Sequence, residues 1–197
     1  TTEGTVSLAS VTFTAANWNT PQIVTVNGVD DDVDDGDVAY SILTAAATST
    51  DANYDGLNAA DVAVTNTDND VAGFMLSKTT AVVSESGSRD TFTMALTAQP
   101  ESDVVLTVTS GDTGEVTVIP AALTFTPANW NVPQTVTVTG ADDALSDGSQ
   151  LTPVVVGVVA ADSDDRFDGV EDRQVSVTTT DNDLAGFIVS KSTASVS

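Results

Sequence analysis

The sequence predicts an all-β protein made of tandem β-sandwiches in a string. Three observations carry this: alternating runs rich in Val and Thr, regular punctuation by Gly, Pro and Asp, and long internal repeats. Branched side chains suit a pleated, half-buried surface, so the Val and Thr runs read as strands. The breakers between them mark turns. No segment carries a convincing helical period.

The repeat sets the organisation. TFTAANWNTPQIVTVNGVDD, Thr12 to Asp31, returns as TFTPANWNVPQTVTVTGADD, Thr124 to Asp143, with Trp18 matching Trp130. VTNTDNDVAGFMLSKTTAVVS, Val64 to Ser84, returns as VTTTDNDLAGFIVSKSTASVS, Val177 to Ser197, with Asp68 matching Asp181. The chain thus reads as the later part of one repeat (residues 1–70, first strands absent), one whole repeat (71–183), and the first strand of a third (184–197). A unit of about 113 residues is the size of an immunoglobulin-like sandwich. The sequence opens and closes inside the pattern, as an internal window of a longer protein would.

Within the whole repeat, alternation predicts strands at Gly73–Lys78 continuing to Val83, Thr91–Thr97, Val104–Thr109, Val116–Ile119, Leu123–Thr126, Thr135–Thr139, Val154–Ala160 and Gln174–Thr179. Gly140 and Pro153 are among the breakers expected between them.

Composition narrows the function. The 197 residues carry a net charge of −24, from 29 acidic and 5 basic side chains, with no His and no Cys. Such charge often accompanies disorder, but an apolar fraction of 41% supplies a core. Five scattered basic residues cannot form the stripe that binds phosphates, so nucleic acid and anionic membrane surfaces are excluded as partners. No apolar run approaches the ~20 residues of a membrane span. The lack of Cys fits the cytosol and also large secreted bacterial proteins. Without His or Cys there is no nucleophilic relay, so no enzyme is expected.

The acids follow strand ends. Gly140 to Ser149 follows one strand and Asp181 to Asp183 follows the last. If the final three strands alternate up, down and up, those two loops share a pole. A first strand running up from Gly73 delivers Glu85 there as well. Glu85, Asp142, Asp143, Asp147, Asp181 and Asp183 then converge. Acids are also common in turns as solvated residues, but six carboxylates in one place cannot all stay ionised without a cation. Calcium, which accepts six to eight oxygens, is the expected ion.

Glu85, the Asp142-Asp143 pair followed by Asp147-Gly148, and Asp181-Asn182-Asp183 before Ala185-Gly186 resemble the Calx-beta family. The earlier repeat offers Asp30, Asp31, Asp35, Asp68 and Asp70 at the matching places. The resemblance implies Calx-beta-type sandwiches that bind calcium at one pole. Such domains occur in sodium–calcium exchangers and in bacterial extracellular, adhesin-like proteins, where tandem copies form extenders or fibres. Two departures stand out. The earlier repeat lacks a counterpart of Glu85, and the later one has Ala144, Ser146 and Ser149 where the earlier has Asp32, Asp34 and Asp37.

The expected function is therefore a calcium-stiffened structural repeat of a large bacterial cell-surface or secreted protein, with calcium ions, neighbouring repeats and self-association into fibres as its partners. The alternatives are a calcium-sensing regulatory module and a carbohydrate- or cell-binding module using Trp18 or Trp130. DANYDG, Asp51 to Gly56, opens like a calcium loop but has Val62 where the twelfth-position Glu would stand. Tyr54 and Phe167 read as plugs at the opposite pole, and the two Trp as core or turn plugs.

Overall fold

The computed structural model describes residues 2–190, 192, 193 and 195. The chain divides into two compact units, Thr1–Val71 and Ala72–Ser197. All regular elements among the described residues are strands, apart from two short 3-10 turns.

In the first unit β1 (Gly4–Val6) pairs antiparallel with β2 (Val26–Gly28), and β3 (Val38–Ile42) with β4 (Val62–Asn66). No described residue of this unit is fully buried.

The second unit is a two-sheet sandwich. Its strands are β5 (Phe74–Leu76), β6 (Thr80–Ser84), β7 (Arg89–Leu96), β8 (Val104–Ser110), β9 (Val116–Ile119), β10 (Ala122–Phe125), β11 (Gln134–Gly140), β12 (Gln150–Val158) and β13 (Arg173–Thr180). One sheet runs β10-β8-β12-β13-β6 and the other β5-β7-β11-β9. Alternation places Val104, Leu106 and Val108 of β8 and Val154 and Val156 of β12 inside, against Phe92, Met94, Val136 and Val138 of the facing sheet. Phe74 and Phe125 are wholly buried in the same core.

The first strand breaks where the sequence reads it as continuous. Ser77 still bonds to β7, donating its N–H to Thr93, while Thr79 already accepts from Ser176 of β13. The chain crosses from one sheet to the other within three residues. Lys78, at the crossing, forms an ion pair with Asp90.

Two expected breakers lie inside strands. Pro153 is within β12, and its carbonyl accepts from Gly111, just past the last β8 pair at Ser110. Its missing N–H therefore faces a side where β8 has already ended, the one kind of place a strand tolerates proline. Gly140 is the last residue of β11, still paired with Val116, and is glycine because a Cβ there would overlap the backbone of Ser84.

Phe167 plugs the lower end, 1% exposed, beneath the two 3-10 turns at Ala160–Asp162 and Asp165–Phe167. Asp164 holds that end shut. Its carboxylate accepts from the N–H groups of Glu101 and Ser102 (2.6 and 3.1 Å) and of Arg166 (3.1 Å). Burial opposes the charged form of Asp164, but those three amides and the Arg166 charge outweigh it and hold the pKa below the usual range.

The structure departs from three expectations, two of them in the first unit. Tyr54 is 59% exposed rather than a plug, and Trp18 is 68% exposed, whereas Trp130 packs against the core. Each lacks the facing strands that cover its twin. Leu184–Ser190, read as the first strand of a further repeat, forms no strand. Its twin is ordered by pairing with β7 and β13, and the described residues offer Leu184–Ser190 no such edge. The rest of that expected strand includes Lys191, Ala194, Val196 and Ser197, which lie outside the described residues.

This contrast predicts unequal mutational costs. Phe125→Ala should cost about 3–5 kcal/mol in denaturant unfolding of the second unit. Phe13→Ala, at the matching but 54% exposed position, should cost about 1 kcal/mol or less. Asp164→Ala should cost about 2 kcal/mol, because three part-buried amides lose their acceptor.

Candidate metal centre

Strand pairing brings the acids together at one pole of the second unit. β6 runs parallel to β13 with Ser84 opposite Thr180, so Glu85 and Asp181 leave the sheet side by side. In the other sheet β9 runs antiparallel to β11 with Val116 opposite Gly140. Glu115 therefore sits beside the start of the Asp142–Gly148 loop, and its carbonyl accepts from Ala141 (2.8 Å). The Thr179 hydroxyl reaches the same carbonyl at 3.3 Å, tying the two sheets together at this end.

The up-down-up argument reached the right pole by a partly wrong path. β12 and β13 are antiparallel neighbours, but β11 pairs with β7 and β9 in the opposite sheet. Its end still reaches the pole because Gly140 abuts Ser84.

Two carboxylate triads result. Glu85, Asp181 and Asp183 each present an oxygen within 4.8 Å of the others, and so do Glu115, Asp143 and Asp147. Asp142 belongs to neither triad; it accepts from the Asn182 side chain (3.1 Å). The Asn182 N–H donates to Glu85 (3.0 Å), so the middle residue of Asp-Asn-Asp orients its neighbours' ligands.

Backbone amides fix the conformation of the loops. Asp181 accepts from the N–H groups of Asp183 (2.6 Å) and Gly148 (2.7 Å). Those amides hold its pKa below the usual carboxylate range. Gly148 makes its contact with φ of 78°, a conformation that side chains resist. The first unit repeats the device: Gly36, with φ of 74°, donates to Asp68 (2.6 Å), and Asp70 donates to the same carboxylate.

Other carboxylates are strained by their surroundings. Glu85 is 1% exposed. The Asn182 amide favours its charged form, yet burial and the charges of Asp181, Asp143 and Asp147 outweigh it and raise the pKa. Burial raises Glu115, helped by Asp147 and Glu85, and burial raises Asp183, helped by Asp181 and Asp142. One oxygen of each of Glu85, Glu115 and Asp183 is buried with no hydrogen-bond partner. Buried acceptors are nearly always partnered, so three orphaned carboxylate oxygens at one pole fit a site shaped for a cation. Every side-chain ligand on offer is a hard oxygen, which suits calcium.

In the first unit the triad is Glu3, Asp31 and Asp35. These line a cavity of about 230 Å³ together with Asp30, Asp68 and Asp70. Burial raises the pKa of Asp70, with Asp68, Asp32, Asp30 and Asp31 adding to it. The Asp51 carboxylate instead caps its own turn by accepting from Asn53 (2.9 Å).

Sequence reasoning missed Glu115 and Glu3. The signal was present: Glu3 and Glu115 stand in the same relation as Trp18 and Trp130, each pair 112 residues apart (3 to 115, 18 to 130). Both precede a strand rather than follow one, so a search of strand ends passes over them.

No family model and no curated protein matches the chain. Solved structures similar to it include SSP-19, an MSP-domain protein-like family member of Caenorhabditis elegans (16% identity, TM-score 0.37, covering 54% of this chain and 97% of that one). The E. coli chaperone DraB is similar at 11% identity and TM-score 0.42, covering 59% and 58%. The apo form of a Calx CBD1 domain is similar at 12% identity and TM-score 0.41, covering 58% and 100%. The sandwich itself stands on the strand pairing described above.

The raised and lowered groups give the pole a distinctive pH dependence. Glu85, Glu115 and Asp183 have folded pKa values above their unfolded ones, so without a cation stability falls as pH rises through those values. Asp181, Asp164 and Asp90 are lowered, so their contribution is present at higher pH and is lost as pH falls through their folded values. Thermal melts in chelator should therefore show a stability maximum on the acidic side of neutrality. Calcium should move that maximum toward neutrality. A cation-free melt that rises steadily up to pH 8 would contradict this.

Proposed function

We propose that the chain binds calcium at the carboxylate pole of each unit and serves as a cation-stiffened structural repeat of a large extracellular bacterial protein. The observation that carries the reading is the pair of triads with three orphaned, buried carboxylate oxygens. Glu85, Asp181 and Asp183 would hold one ion, and Glu115, Asp143 and Asp147 a second. A bound cation neutralises the like charges and ties β6, β9, β11 and β13 together through their end loops. In its absence the same loops repel. The near-identical repetition of long blocks favours length and stiffness over switching. The site offers no nucleophile and no general base beyond the carboxylates, so catalysis forms no part of the proposal.

Calorimetric titration with calcium tests this reading. Occupancy near about millimolar calcium is expected for an extracellular extender, whereas saturation in the micromolar range would favour a sensor. Saturating calcium should raise the melting temperature by roughly 5 °C or more, since the ion binds the folded state alone. Glu115→Gln and Asp183→Asn should each remove one binding step and part of that shift. Absence of binding heat and of any melting shift at about 10 mM calcium, above the range of extracellular sites, would overturn the proposal.

A further inference from the structure

The chain enters the second unit through β5 and β6 and leaves it through β13. β6 and β13 are paired and run parallel, with Thr80 opposite Ser176 at one end and Ser84 opposite Thr180 at the other. The start of β6 and the end of β13 therefore lie at opposite ends of one ladder. A pull on the two ends of the unit slides these strands along each other. The bonds of a parallel pair are evenly spaced, so the whole ladder takes the load together. Strands pulled apart from one end would lose their bonds one at a time.

The ladder is reinforced along its length. Bonding continues past both ends of the paired residues: Ser176 donates to Thr79 (2.9 Å) and Glu85 to Thr180 (3.2 Å). The Thr180 hydroxyl donates to the Val83 carbonyl (3.3 Å). Sliding β6 would draw Ala81 and Val83 out of the core, and Phe74 of β5 with them; all three are buried. β5 is paired antiparallel along β7, Phe74 opposite Leu96, and the same pull slides it too. Between β5 and β6 the entering chain is pinned by the Lys78–Asp90 ion pair.

The far end of the ladder carries the carboxylate triad. Glu85 follows β6, Asp181 and Asp183 follow β13, and an oxygen from each lies within 4.8 Å of the others. A cation shared by these three spans the two strands that the pull would slide apart. Glu115, Asp143 and Asp147 instead follow or precede β9 and β11, which are neither the entering nor the leaving strands.

We propose that the second unit is a load-bearing module, in which β6 and β13 form a shear clamp and a cation at Glu85, Asp181 and Asp183 locks it. The cation's part rests on the calcium reading above; the shear geometry does not. With the ion in place, the ladder slips only after Glu85 or the two aspartates release it.

Single-molecule pulling on the full chain tests the proposal. The sequence has no Cys, so introduced pairs set the axis of load. Val71→Cys with Leu184→Cys pulls along β6 and β13. Ser86→Cys with Leu184→Cys pulls the same strands apart from one end. All three sites are exposed. In chelator the first axis should need at least about twice the force of the second, with a release of roughly 350 Å, the extended length of residues 74–180. Forced unfolding follows the unfolding rate rather than equilibrium stability. Asp164→Ala, at the opposite pole, should therefore lower the melting temperature and leave the force on the first axis unchanged. Calcium at about 10 mM should raise that force further, and Glu85→Gln should remove the rise. Equal forces on the two axes overturn the proposal, as does a force that falls with Asp164→Ala in step with the melting temperature. Calcium that raises the melting temperature but not the force overturns the lock at Glu85. If calcium changes neither, the calcium reading is what fails, and the contrast between axes in chelator still decides the clamp.

Discussion

The parallel pairing of β6 with β13 is the contact on which the pole depends. Every other strand pair in the second unit is antiparallel, and an antiparallel neighbour would have carried Glu85 to the far end of the sheet. Parallel strands need a crossover, and here it is the whole sandwich between Glu85 and Arg173. What makes it possible is the switch at Ser77–Thr79, where the opening strand leaves the four-stranded sheet for the edge of the five-stranded one. That edge is sealed locally. The Val82 N–H is taken by Asp90 and the Ser84 N–H by the Ser88 hydroxyl. Capped donors of this kind discourage pairing with another chain at the edge.

The two copies of the sequence show what local chemistry achieves with and without the opening strands. The turn after Phe13 forms as it does after Phe125: Asn17 bonds back to Thr14 (3.0 Å) as Asn129 does to Thr126 (3.1 Å). The pairs β1–β2 and β3–β4 match β9–β11 and β12–β13. The acidic loops form with the same amide contacts. Burial is missing, and so are a counterpart of β10 and much of the length of β11 and β12, because these depend on distant strands. One exchange shows how closely the copies follow the same plan. Val116 and Thr152 of the second unit correspond to Gly4 and Tyr40 of the first, and a Cβ on Gly4 would overlap the Tyr40 hydroxyl. A small residue opposite a large one replaces two of middle size.

Much of this was legible in the sequence. Strands with strict alternation, such as Val104–Ser110 and Gln134–Gly140, were found almost to the residue, since a period of two has one reading when one face is buried. The acids after strand ends were placed at the correct pole because direction, unlike pairing, follows from counting turns. Sheet membership was not legible: β11 and β12 are joined by an acidic loop that suits a hairpin or a crossing equally well. Glu115 was missed because its role arises from β9 pairing with β11, and no local pattern announces a ligand placed before a strand. Trp18 and Tyr54 were read as buried from their type alone, while burial is a property of what faces them.

Charge segregation explains how so acidic a chain folds at all. Thr on the outer faces keeps the strands soluble without adding to the self-repulsion that net charge creates. Apart from Asp90, the described carboxylates lie outside the strands, and there the backbone meets part of their cost: Asp181, Asp68 and Asp164 each accept two or more amide hydrogens. What the backbone does not meet is concentrated at Glu85, Glu115 and Asp183, where burial and like charge act together. Without a partner for their charge, these three oppose folding as pH rises. The second unit thus gathers its unfavourable electrostatics at one pole and keeps most of its strand residues uncharged. A sequence that spread the same charge over the strands would gain solubility but would gather no such set of buried carboxylates at a single pole.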